Sequence, residues 1–195
     1  MSDYTVVRAV TLTMRHMLED AITNSTDPQL NGVLIDLRSP KEMRQVNANG
    51  VSLWLYRVNR DPDLLNDPPH RISPTEFRAQ SLPVNLFYLI TPLVQLPEDR
   101  QTVLGRVLQT FNDRPVARGA DLRDTLLGSD EEFRLTLETL SLEELTRVWH
   151  ALAEPYDLSV TYAVQIVRID SDLEPLSTTP VLIKRSTYTQ IRSVT

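Results

Sequence analysis

Leu142, Leu145, Val148, Trp149 and Leu152 recur at the spacing of one helical face, while Glu143, Arg147 and His150 point away from it. Ser141 and Glu144 form a capping box ahead of this run. Each side chain there satisfies a backbone N–H that the first helical turn leaves orphaned, so the helix starts at Leu142. Its apolar face is expected to be buried. Pro155 and Asp157 end the turn. Leu158, Val160, Tyr162, Val164 and Ile166 then alternate with Ser159, Thr161, Ala163, Gln165 and Val167, the period-two pattern of a half-buried strand.

Upstream, Val7, Val10, Met14, Met17, Leu18 and Ala21 make one apolar stripe and predict a helix over residues 4–22. The apolar run from Val33 to Leu37 is strand-like. Ser39, Pro40 and Glu42 repeat the capping-box pattern, with room for only a turn or so of helix. Asn49 and Gly50 mark a tight turn. In the following VSLWLYRV, Val51, Leu53 and Leu55 oppose Trp54, Tyr56 and Val58, as in a central strand covered on both sides. Residues 61–83 hold prolines at 62, 68, 69, 74 and 83 and predict a long loop of the kind that carries function. Leu82, Val84, Leu86, Tyr88 and Ile90 then line one face of a strand, with Phe87 and Leu89 on the other. Pro97 opens a helix to about Asn112, a polar connection follows, and Phe133, Leu135 and Leu137 alternate in a shorter strand. The order α, β, β, β, α, β, α, β predicts an α/β (α+β) fold with a mixed, largely antiparallel sheet flanked by helices.

Composition changes this picture little. With 195 residues, 41% hydrophobic and 24% charged, the chain is expected to be one globular domain over residues 1–170 followed by a C-terminal arm, 171–195. The arm is rich in Ser and Thr. Its Val181, Leu182 and Ile183, beside Tyr188 and Ile191, suit a strand added to a sheet edge, its own or a neighbour's, or a segment unfolded until bound. No apolar run long enough for a membrane span is present, and the N-terminus lacks the pattern of a secretory signal. There is no cysteine, hence no disulfide and no thiolate ligand. A net charge of -6 and a pI near 5.1 argue against tracking a phosphate backbone, so no nucleic acid partner is expected.

Candidate chemistry is sparse. His16, His70 and His150 fall in separate elements, and none belongs to a metal-ligand spacing. No nucleophile elbow or Gly-rich phosphate loop occurs, and Asp130, Glu131 and Glu132 lack the alternating ligands and central glycine of a calcium loop. No catalytic residue, cofactor or metal is assigned. His16 and His150 are expected on helix surfaces, and an enzyme would require either of them in a deep pocket with a carboxylate.

Four blocks carry a family resemblance: SPKEMRQVNANGVSLWLYRVNRDPDLLNDPP from Ser39, PVNLFYLITPL from Pro83, LGRVLQTFNDRPV from Leu104, and LSLEELTRVWHALAEPYDLSVTYAVQIVRID from Leu140. In order and spacing they resemble the cap or tail-terminator family of extracellular contractile injection systems, of the antifeeding-prophage type. The resemblance covers most of residues 4–170. It implies a fold like that of phage tail terminators and a non-catalytic hexameric ring, a homo-hexamer on the end of the inner tube and sheath that halts their polymerisation. It also implies assembly in the bacterial cytoplasm and residence in the released particle. Tube and sheath proteins are the implied partners, and no membrane is involved. Interface candidates are Arg57, Arg60, Asp63, Leu64, Leu65 and His70 near the proline-rich loop and Val181, Leu182 and Ile183 in the arm. Leu64 and Leu65 suit local packing under the loop equally well. A small non-catalytic adaptor domain regulating particle assembly is the alternative.

Overall fold

The computed structural model describes residues 3–64, 70–73, 76–174 and 176–177. Its centre is a six-stranded sheet in the order β1 (Leu34–Asp36), β2 (Gly50–Arg60), β5 (Leu82–Leu93), β8 (Val160–Ile169), β7 (Glu132–Glu138) and β6 (Val116–Arg118). Only β1 and β2 run parallel, joined through the short helix α2 (Pro40–Gln45); every other neighbouring pair in this sheet is antiparallel. A second sheet of β3 (His70–Ser73), β4 (Glu76–Arg78) and β9 (Leu176–Ser177) stands where a plain loop was expected over residues 61–83. The mixed, largely antiparallel α+β architecture agrees with the sequence pattern, although the pattern undercounts the strands.

Two helices cover one face. From α1 (Val6–Leu18) come Val10, Met14, Met17 and Leu18, and from α3 (Pro97–Asp113) come Val103, Val107 and Phe111. They meet Leu53, Leu86, Tyr88, Ile90, Leu135, Tyr162 and Val164 in the main core. Tyr88 is fully buried, and its hydroxyl lies 2.7 Å from that of Thr11, which satisfies the one polar atom it carries inward. The predicted first helix does not stay α-helical to residue 22. Glu19–Thr23 form a π-helical turn, in which Ile22 is buried beside Ala21 of the expected stripe. The expected polar connection after α3 is also more than that. It supplies β6 and two 3₁₀ turns, Gly119–Asp121 and Asp124–Leu126, and sends Ala117, Leu122 and Leu126 into the core.

The other face is thinner. Helix α4 (Leu142–Ala151) lays Trp149 and Leu152 on Leu89, with Trp54, Tyr56, Leu145 and Val148 partly buried around them. Leu142, expected in that face, is 65% exposed at the first position of the helix. Buried Trp149 donates its indole N–H to the Ser159 hydroxyl at 3.2 Å, and the Arg44 guanidinium of α2 sits 5.5 Å over its ring. Arg44 also pairs with Glu154 and Asp157, each at 2.7 Å, and Arg100 reaches Asp157 at 3.3 Å. Ser159, Thr161 and Ala163 are buried on this side, so β8 is covered on both faces here rather than half-buried.

Two bulges break the strict alternation of the six-stranded sheet. Leu55 pairs with Tyr88 but Arg57 with Phe87, so Tyr56 is an extra residue in β2. Val58 therefore pairs with Leu86 and joins the α1 and α3 side, opposite to the side its spacing predicts. In β8, Gln165 and Ile166 together face the single Asn85, and Val167 takes up the core side beyond them.

Both capping boxes form: the Ser39 and Ser141 N–H groups donate to Glu42 and Glu144 at 2.8 and 2.9 Å, and the glutamate N–H groups donate back at 3.3 Å. These hydrogen bonds from serine hold both glutamate carboxyls below their ordinary value of 4.5. Folded-state stabilisation by the charged caps is therefore complete at neutral pH and is lost as pH falls below 4.5 through the depressed values. The double variant Glu42→Gln and Glu144→Gln should show a shallower acid limb in stability against pH, read by urea unfolding. At Gly50 an added Cβ would lie 2.4 Å from the Leu34 carbonyl oxygen, so Gly50→Ala should destabilise by about 1–3 kcal/mol through forced separation of β1 from β2. Trp149→Ala should cost about 3–5 kcal/mol through the cavity left under α4, a shift in denaturation midpoint without a change in slope.

Candidate interaction surface

The bulge at Tyr56 brings two consecutive side chains to the α4 side of the sheet. Arg57 lies over the Phe87 ring at 3.8 Å from its centroid and 5.6 Å from that of Tyr56, and its Nη2 donates to Glu138 Oε1 at 2.7 Å. The Tyr56 hydroxyl donates to the other oxygen of the same carboxylate at 3.3 Å. Burial, reinforced by the Glu138 charge, pushes the Tyr56 phenol up to about 12, so it stays a neutral donor at neutral pH. Arg57 is thus engaged with its own chain on three sides. Its Nε is buried without a hydrogen-bond partner among the described residues.

Beyond the bulge the strand runs out into solvent. Val58, Asn59 and Arg60 are exposed. Asp61 closes the strand: its N–H donates to the Pro83 carbonyl at 3.0 Å, and its carboxylate accepts from the Asp63 N–H at 2.9 Å and from Asn85 at 3.2 Å. Asp63 is exposed. Leu64 is partly buried, and its carbonyl accepts from Gln80 at 3.3 Å. His70 begins β3, in register with Arg78. The fold therefore gathers Arg60, Asp63 and Leu64 at the end of the sheet where β2 finishes, with Arg57 one turn of strand behind. Leu65, Val181, Leu182 and Ile183 lie outside the described residues.

Two surface features have no local sequence signal. β1 pairs only with Gly50–Ser52, so the outer edge of β2 from Leu53 to Arg60 has no strand beside it among the described residues. A count of β1 residues before Asp36 hints at this, but pairing is a tertiary fact. On the opposite side of the sheet, Leu108, Phe111, Pro115, Leu135, Leu137 and Tyr162 line a groove of about 640 Å³ between α3 and β7. Leu137 is 48% exposed there.

The histidines stand apart from both. His16 is partly exposed, 3.3 Å from Asp20 one turn along its helix and in contact with Arg123; His150 is exposed on α4. Among the described residues no group of three or more His, Asp or Glu is placed to hold a metal ion, and no helix is long and apolar enough to cross a membrane.

Comparison with known proteins adds the lineage. No curated protein matches this chain. Two solved structures share its fold. The sheath/tube terminator in the extended state of an extracellular contractile injection system, PVC, aligns with a TM-score of 0.65 and 20% identity over 100% of this chain and 67% of its own. The tube-terminating cap of the anti-feeding prophage aligns with a TM-score of 0.64 and 20% identity over 92% of this chain and 60% of its own. The family model for the Pvc16 N-terminal domain matches residues 9–183. The chain belongs to the Pvc16 N-terminal domain family.

Proposed function

We propose that this chain is a structural cap of a contractile injection system, and that six copies close into a ring on the end of the inner tube and sheath and end their polymerisation. The observation that carries this reading is the fold shared with two tube-terminating proteins over nearly the whole chain, together with membership of the Pvc16 N-terminal domain family. The action is geometric rather than catalytic. One face of the ring matches the last layer of subunits, and the other face offers no equivalent seat, so growth stops. The copies assemble in the cytoplasm and leave with the particle.

A closed cyclic ring needs a heterologous contact, one surface of each copy against a different surface of the next. The exposed end of β2 and the segment after it supply such a surface: Arg60, Asp63, Leu64, Leu65 and His70 contact a neighbour or the capped layer. Residues 171–195 act as an arm carrying Val181, Leu182 and Ile183 to a second surface. Arg57 supports the first surface from behind, held by Glu138 and Phe87.

Particles purified from cells lacking this gene product should carry sheaths of irregular or excessive length when imaged, and restoring the chain should restore uniform length. Particles of unaltered length would overturn the reading. Light scattering of the chain with tube ends present should give the mass of six copies; a monomer or dimer under those conditions favours an adaptor domain.

A further inference from the structure

We propose that the open outer edge of β2, Leu53–Arg60, is the seat for an added strand, and that its occupant is the segment 181–192 of a neighbouring copy. This deepens the ring reading and rests on it. β1 ends its pairing at Ser52, after which β2 has strand partners only in β5 among the described residues. The remaining residues present roughly 26 Å of edge, at about 3.3 Å per residue, along which outward N–H and C=O groups meet no other strand of the described residues. Edges of this length are usually guarded by proline, charged side chains or a bulge. This one has no proline or lysine; its bulge is at Tyr56, Arg57 is drawn back onto Phe87 and Glu138, and Arg60 stands at its far end. Its side chains suit a partner: Trp54, Leu55 and Tyr56 are partly buried, and Val58 is 50% exposed.

The occupant follows from length, position and charge. Residues 178–195 extend to about 60 Å at 3.3 Å per residue, more than twice the edge they would line. The described chain runs to Leu176–Ser177, paired with β4 in the small sheet that follows β2, so the segment departs from the end at which β2 finishes. It holds Val181, Leu182, Ile183, Tyr188 and Ile191 for the pairing. It also holds Lys184, Arg185 and Arg192 and no Asp or Glu. Near Tyr56 the seat holds two carboxylates, Glu138 and Glu144, and one guanidinium, that of Arg57, which Glu138 binds at 2.7 Å; Arg60 stands at its far end. Insertion into the next copy, rather than into the same one, gives every protomer one seat that receives a strand and one strand that is donated, the head-to-tail contact that ring closure demands.

The absence of cysteine makes the test clean. Val58→Cys chains are mixed with chains carrying Val181→Cys, Leu182→Cys or Ile183→Cys in turn, oxidised, and run on a non-reducing gel beside a Leu127→Cys control at an exposed position on another part of the surface. A disulfide-linked pair of chains several-fold above the control, from at least one mixture, is the expected result. If light scattering shows rings but no mixture cross-links above the control, the strand exchange is overturned while the ring stands. If a chain bearing both cysteines links only within itself, the neighbour is overturned as the donor. A chain stopped after Ser177 should keep its circular dichroism and lose self-association; full self-association there also overturns the inference.

Discussion

Everything in this structure depends on the burial of β5 and its two neighbours from both sides. Leu86, Tyr88 and Ile90 go to the core under α1 and α3, while Phe87 and Leu89 meet Arg57 and Trp149 on the other side. A strand clad on both faces tolerates no slip, because a shift of one residue would exchange every side chain between two layers of different chemistry. The thick side takes long apolar chains. The thin side accepts Ser52, Thr91, Ser159 and Thr161, small groups over which the short α2 and α4 approach. Thr91 pays the most for this, its hydroxyl buried without a partner among the described residues.

The asymmetry of the two layers explains where the surface is available for contact. α1 and α3 pack along much of the first face, whereas α4 is attached by Trp149, by Leu152 and by the ionic cluster of Arg44, Arg100, Glu154 and Asp157. That cluster is partly exposed, so its strength is moderated by solvent, and the apolar anchor carries more of the attachment. With α4 held at its C-terminal half, the aromatic residues of β2 stay at the border between core and solvent.

Most of the elements were legible because their signals are local. Both capping boxes, the proline at the start of α3 and the double-faced apolar pattern of β2 and β5 each point to an element that the structure contains. What local pattern could not reveal depends on distant partners. Leu142 obeys the helical stripe yet is exposed at the first position of α4. Leu122 and Leu126 have no periodic neighbours, so their burial against α1 is visible only once the chain is folded. Of the candidate contacts, Arg60, Asp63 and Leu64 follow one another closely along the chain, so their place at the end of β2 is set by sequence proximity. The intramolecular pairing of Arg57 with Glu138 joins residues 81 apart in sequence and has no linear signature.

The two bulges, at Tyr56 and at Gln165 with Ile166, lie on strands flanking the same half of β5. Each inserts one residue, and each inverts the inward and outward positions that follow it. For a distant homologue lacking either insertion, an alignment without a gap at the bulge would set residues from Val58 to Arg60, or from Val167 to Ile169, against positions on the opposite face. Gap placement in an alignment at these two points is consequently a statement about which residues face the core, and comparisons that ignore it will equate solvent positions with buried ones.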